Sequence, residues 1–302
     1  MKKAPHILLL FLDGVGIGGE EHNPFFNSNL PVLANLLNGK IPRLRVSAVQ
    51  NKQVSLKQIN ATLGVPGLPQ SGTGQTSLLT GINAQRLIGK HFGPYLHSAL
   101  KPVIEEKNIF RQLGELGKKC FYANAFPHQY FDYIANKKRV TAIPHAWLTS
   151  GNLLNDHKSL ESGISLSADI TNQRWHMMGY PGMPVIPAEE AGRRLVKLTG
   201  QYDFVLYEYF YTDHAGHSRS MQEAVSVLEG LDALLGGIVD AFDPKTMSMI
   251  ITSDHGNIED LSTKSHTRNP VPMLAYGESH LQFSEKVNKI TDVAKAIVNA
   301  LS

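Results

Sequence analysis

The apolar run Met247-Ser-Met-Ile-Ile-Thr-Ser253 ends abruptly at an acid and an imidazole, Asp254 and His255. Its β-branched residues and the Gly256-Asn257 that bounds it predict a buried strand running into a loop. In open α/β sheets, ligands gather beyond the carboxyl ends of the strands, so Asp254 and His255 stand where chemistry is expected. His266 follows in a second polar loop, before Pro270 and Pro272 mark the start of another strand. Two imidazoles and a carboxylate within thirteen residues suit a borderline divalent cation such as zinc or manganese.

The rest of the chain repeats this pattern. His6–Leu12 predicts a buried strand that delivers Asp13 to a glycine-rich turn, and Asp203–Phe210 predicts another that delivers Tyr211-Thr-Asp-His-Ala-Gly-His-Ser218. The turn after Asp13 has neither a GxGxxG register nor a Walker lysine, so it does not predict a nucleotide loop. Asp213 and His217 have helical spacing, but Gly216 between them predicts an irregular loop. Lys119–Ala125 reads as a strand, and helical patterns cover Leu30–Leu37, Asn108–Gly117, Pro187–Thr199, Ser220–Phe242 and Ile290–Leu301. Strands alternating with helices of these lengths predict an α/β three-layer sandwich with a mostly parallel central sheet. Residues 1–125 and 187–302 form the expected core. Residues 126–186, where aromatics, histidines and turns replace the alternation, form an expected small insertion over the site.

Pro69-Gln-Ser-Gly-Thr-Gly-Gln-Thr-Ser-Leu-Leu-Thr-Gly81 predicts a loop turning into a helix. A hydroxyl at a helix N-terminus is usually a cap. It is also where a nucleophile would sit, because free N–H groups and the positive dipole end attract the phosphate it attacks. Ser71, Thr73 and Thr76 all qualify, and their spacing does not choose among them.

Bulk properties exclude several classes. A formal charge of +3 across 302 residues gives no basis for nucleic-acid binding. The apolar segment after Lys2-Lys3 is too short for a signal peptide and ends at Asp13-Gly14 without a cleavage site. No stretch approaches the ~18 apolar residues of a membrane span. One cysteine, Cys120, excludes an intramolecular disulfide and fits a reducing compartment, so the cytoplasm is the expected location.

Taken together, Asp254-His-Gly-Asn-Ile-Glu259 and His266-Thr-Arg-Asn-Pro-Val-Pro272 resemble the C-terminal signature of cofactor-independent phosphoglycerate mutases, members of the alkaline phosphatase superfamily. Leu12-Asp-Gly-Val-Gly16 and Asp213-His-Ala-Gly-His217 are similar to that family's other ligand segments, in the same order. The likeness covers roughly residues 5–86 and 203–278. It implies one divalent metal ion, manganese or zinc, held by Asp13, Thr73, Asp254 and His255, and a second held by Asp213, His217 and His266. Thr73 is the implied nucleophile, because its distance to Gly81 matches the family's spacing. The implied reaction is metal-dependent phosphoryl transfer to or from a phosphorylated small molecule.

The mutases carry a longer inserted domain with an arginine-rich motif, and nothing between Phe126 and Ile186 matches it; Arg174-Trp175 is the nearest echo. A mutase must hold its dephosphorylated intermediate away from water under a closing cap. A short insertion therefore favours a phosphatase or phosphodiesterase over a phosphomutase, with a metal-binding protein that has lost catalysis as a third possibility. Arg86, His91 and Arg268 are candidates for substrate contact. Asn257 and Glu259 are expected to orient the ligand loop.

Overall fold

In the computed structural model, which describes residues 5–44, 48–137 and 139–302, a strand at His6–Leu12 (β1) runs through the middle of the sheet. The other strands are Val49–Gln50 (β2), Val54–Ile59 (β3), Cys120–Tyr122 (β4), Phe204–Tyr209 (β5), Met247–Thr252 (β6) and Val271–Gly277 (β7). They lie in the order β2-β3-β7-β6-β1-β5-β4. β6, β1, β5 and β4 are mutually parallel. β7 is antiparallel to β6, β3 is antiparallel to β7, and β2 is antiparallel to β3. Five strands therefore point the same way, with β7 and β2 reversed.

Both faces of the sheet are covered, which explains why β1 is apolar from Ile7 to Leu12 and does not alternate. Leu8, Leu10 and Leu12 pack with Ala191, Leu195, Leu231 and Leu235 of the helices Ala188–Thr199 and Met221–Ala241. Ile7, Leu9 and Phe11 face the other way, onto Leu78 and Leu79 of the Ser71–Thr80 helix and Ile297 of the Val293–Leu301 helix. Two helical layers around a mixed sheet make the three-layer α/β sandwich. Among the described residues, no helix is long and apolar enough to cross a membrane. Lys2 and Lys3 lie outside the described residues.

Within 126–186, Ala142, Ile143, Ala146 and Trp147 of the Ala142–Thr149 helix belong to the second core cluster, so this part of the stretch is built into the sandwich. Leu154 joins the same cluster, Leu166, Ile170 and Ile186 join the first, and Leu160, Trp175 and Met183 form a small cluster with Ala125 past the end of β4, which is shorter than the sequence predicts. Ala123 still donates its N–H to the Leu206 carbonyl of β5 at 2.8 Å; beyond it the backbone pairs with the 126–186 stretch, the Ala125 N–H donating to the Leu166 carbonyl at 2.8 Å.

Candidate metal centre

The ends of β1, β5 and β6 converge on one cluster. β1 releases Asp13, whose N–H donates to the Tyr209 carbonyl at the end of β5 at 3.0 Å. After β6, the Ser253 hydroxyl donates to the His255 carbonyl and accepts the Val15 N–H, each at 2.9 Å. The two turns that carry Asp13 and Asp254 are thereby held together. The Gly256 carbonyl accepts the Thr267 N–H at 2.9 Å, which brings His266 back to the same place.

The Asp213–His217 segment corrects an expectation. Gly216 does not break it: Tyr211–Ser218 is a helix, with both groups on one face. The Thr212 hydroxyl anchors the start of that helix to the Asp13 carbonyl at 2.5 Å. Gly216 serves a close approach instead, since a Cβ there would stand 2.6 Å from the Asn257 amide carbon. Through that gap Asn257 Nδ2 donates to Asp213 Oδ1 at 2.6 Å. Glu259 ties the loops together: its Oε2 accepts the N–H groups of Gly16 (2.9 Å) and Asn257 (2.8 Å), and its Oε1 accepts from Thr267 and Asn269. Gly216→Ala is expected to displace Asn257 and weaken metal affinity about tenfold or more, the usual scale for losing a group that orients a ligand. Manganese titration calorimetry reads this directly.

The histidine rings are oriented from behind. Nδ1 of His266 faces the Pro69 carbonyl at 2.7 Å, and Nδ1 of His217 faces the Lys264 carbonyl at 2.8 Å. A carbonyl only accepts, so Nδ1 must donate, and in the neutral ring Nε2 keeps its lone pair. Those two Nε2 atoms meet 3.2 Å apart, at 3.3 and 3.5 Å from the Asp213 carboxylate. Two lone pairs and a carboxylate converging on one point fit a cation. Asp213, His217 and His266 form one such donor group, and Asp13, Asp213 and His255 form another.

Asp254 gives independent support. It is fully buried, and among the described residues neither carboxylate oxygen has a hydrogen-bond partner. Its nearest partner is His255 Nε2, 3.6 Å from Oδ2; the same Nε2 lies 3.2 Å from Asp13 Oδ1. A Cβ on Gly74 would press on Asp254 Cβ at 2.9 Å, so the helix that follows Ser71 lies directly against this carboxylate. Burial, reinforced by Asp13, pushes the Asp254 carboxyl well above its ordinary range. Burial works against a charge on His255, but Asp254 and Asp13 outweigh it and push the imidazole up to about 10. Burial and the neighbouring His255 lower His266 to about 4. The residues present therefore fit divalent metal ions, which would discharge the buried carboxylates.

A consequence is pH-dependent metal binding. In the metal-free protein His255 holds a proton below about 10, and a metal ion must displace it. Affinity for manganese or zinc is expected to rise by about tenfold per pH unit between pH 6 and 9 for each proton displaced. Calorimetry in buffers of different ionisation enthalpy would count that proton; a pH-independent affinity would contradict it.

The three hydroxyls that the sequence leaves open separate cleanly. Thr73 is fully buried; its hydroxyl donates to the Gln70 carbonyl at 3.1 Å and accepts the Phe92 N–H at 3.2 Å. Thr76 is also buried, and donates to the Gly72 carbonyl at 2.6 Å. Ser71, the first residue of the helix, has its Oγ 3.0 Å from His255 Nε2 and lines a cavity with Asp13 and Asp213. The structure thus brings Asp13, Asp213, His217, Asp254, His255 and His266 together with Ser71, and commits the Thr73 hydroxyl to the loop around Phe92. Gln75 also joins the cluster, donating to Asp13 Oδ2 at 3.2 Å. Arg86 is exposed on the short helix Ala84–Leu87. His91 contacts the Val65 carbonyl and Arg268 donates to the Gly67 carbonyl; none of the three lines the cavity beside Ser71.

Three aspartates and three histidines thus meet at the strand ends of an α/β sandwich, a donor set that fits divalent metal ions. A family model described as the metalloenzyme superfamily matches residues 5–302, and the chain belongs to that superfamily. It is similar to the 2,3-bisphosphoglycerate-independent phosphoglycerate mutases of Pseudomonas putida (31% identical) and Pseudomonas fluorescens (33%), each over 131 residues. Those alignments cover 40% of this chain and 25% of each relative, so the chain aligns with about a quarter of the length of the curated relatives it matches. Among solved structures, alkaline phosphatase from the Antarctic bacterium TAB5 shares the fold with a TM-score of 0.57 at 14% identity, covering 100% of this chain and 99% of that one. A phosphoglycerate mutase of Leishmania mexicana gives 0.51 at 11% identity, covering 99% and 95%.

Proposed function

We propose that this chain is a metal-dependent phosphate-ester hydrolase in which Ser71 is the nucleophile. The observation that carries the reading is the Ser71 hydroxyl, 3.0 Å from His255 Nε2, in the lining of a cavity that Asp13 and Asp213 share. One ion would be held by Asp13, Ser71, Asp254 and His255, the other by Asp213, His217 and His266. Manganese or zinc suits these mixed nitrogen and oxygen donors. When bound, such ions lower the pKa of a coordinated hydroxyl and neutralise phosphate charge.

The residues of the chain supply the rest. Ser71 at the helix start presents its oxygen where the helix dipole favours an anion. Attack forms a bond from Ser71 Oγ to phosphorus and breaks the bond from phosphorus to the ester oxygen, which leaves as the alcohol. Water then cleaves the phosphoserine. The stretch 126–186 would cap the site, and the cytoplasm is the proposed compartment, on the strength of a single half-buried cysteine.

The test is turnover of a chromogenic phosphate monoester and the matching diester with manganese or zinc, alongside His266→Ala. Metal-dependent hydrolysis that collapses in the variant supports the reading, and the preferred ester fixes the class. Metal binding without hydrolysis of either ester would overturn it. Phosphoglycerate isomerisation is the second reading, favoured by the named mutases among the relatives.

A further inference from the structure

Between the metal centre and the 126–186 stretch lies a cavity of about 380 Å³. That falls within the range of small-molecule sites, and cavities well under half this size accept a benzene ring. Asp13, Ser71 and Asp213 line it, so an ester whose phosphorus is attacked by Ser71 Oγ has space here for its organic group. Phe126, Tyr130, Pro144, Met178, Phe210 and Tyr211 supply much of its apolar lining. Phe126 and Tyr130 are stacked with ring centroids 4.4 Å apart, and Phe210 and Tyr211 are tilted at 4.9 Å.

The charges are one-sided. Among the described residues lining the cavity there is no lysine or arginine; its one imidazole is His214, and its carboxyl groups belong to Asp13, Asp169, Glu208 and Asp213. Asp169 is taken up by the N–H groups of Asn172 and Arg174. The Arg174 guanidinium lies over the Tyr211 ring at 4.2 Å and lines a separate hollow with Tyr209. With the metal ions engaged by the phosphoryl group, a carboxylate on the organic part of a substrate would be desolvated beside Asp169 and Glu208 with no lysine or arginine to pair it, which is unfavourable.

We propose that this cavity binds the organic group of the phosphate ester and selects an uncharged, ring-bearing one, an aromatic or heterocyclic alcohol, against an anionic one such as glycerate. Glu208 adds a polar anchor at the floor. The Tyr122 hydroxyl donates to its Oε2 at 2.5 Å, and its N–H donates to Asn124 Oδ1 at 2.8 Å. Burial pushes its carboxyl up to about 8, so near neutral pH it can donate a hydrogen bond to a ring heteroatom.

The inference rests on the phosphate-ester reading, and binding of non-hydrolysable probes tells the two apart. Benzylphosphonate and methylphosphonate share the phosphoryl end and differ in the ring. Calorimetry on the manganese-loaded protein should find benzylphosphonate bound about tenfold more tightly or better, the scale for burying one ring. Ala168→Trp, which fills the cavity from its wall, should erase that difference and leave methylphosphonate unchanged. Met178→Ala, a milder change, should weaken benzylphosphonate alone by a few fold. Equal affinity of the two phosphonates, or tighter binding of 3-phosphoglycerate than of either, would overturn the pocket assignment while leaving phosphate-ester hydrolysis intact. Failure to bind any phosphonate would sink both.

Discussion

Ser71→Ala should lower phosphate-ester turnover by about three orders of magnitude or more, the scale on which removing a covalent nucleophile is felt. Thr73→Val should leave kcat within about tenfold. The two hydroxyls are only two residues apart, and a helix advances about 100° per residue, so they point to nearly opposite sides. Ser71 faces His255; Thr73 faces the Phe92 loop, fully buried. Thr73→Val therefore affects folding rather than chemistry. It leaves the Phe92 N–H without its acceptor, at a cost of about 1–3 kcal/mol of stability. Steady-state kinetics beside a urea melt separate the two effects. Mass spectrometry of acid-quenched turnover should find the phosphoryl group on the peptide residue Ser71. A dead Thr73→Val beside an active Ser71→Ala would reverse the assignment.

The same helical phase shows what the sequence could and could not disclose. Spacing to Gly81 places a hydroxyl near the start of the helix, but it carries no information about which way that helix is rotated against the sheet. The clustering of acids and imidazoles at the strand ends was legible for the opposite reason. β1 and β6 are largely apolar runs that end at Asp13 and at Ser253-Asp254, β5 ends four residues before Asp213, and the sheet's direction determines which ends meet. Gly216 misled because glycine costs helix stability in general; its purpose here is room for Asn257, a contact 41 residues away in the chain. β3 was missed because Val-Ser-Leu-Lys-Gln-Ile mixes polar residues into a strand whose partner, β7, lies more than 200 residues on. The cavity was invisible for a related reason. Its rings come from the 126–186 stretch and from Phe210 and Tyr211 beyond β5, and only tertiary packing sets them around one space.

Asp254→Asn should make the metal-free protein more stable and the metal-loaded protein less so. Asp254 is buried, lacks a hydrogen-bond partner on either oxygen among the described residues, and faces Asp13 across His255. Its carboxyl is raised well above the ordinary value, so the unfolded chain releases the proton at a lower pH than the folded one. The stability contributed by the protonated group is fully present below the unfolded pKa near 4, and is lost as pH rises through the folded pKa. At pH 7.5 the metal-free wild type bears that loss, and asparagine, of the same shape but without a charge to bury, does not. Metal ions reverse the order. At about a thousandfold excess over Kd, a ligand specific to the folded state adds about 4 kcal/mol. For a chain of this size that corresponds to a rise in Tm of roughly 6 °C. The variant, having lost an anionic ligand to one ion, should keep less than half of the gain. Thermal melts of both proteins, with chelator and with manganese, give the four values needed. If Asp254→Asn melts below the wild type in chelator and gains as much from manganese, Asp254 is a structural acid and not a metal ligand.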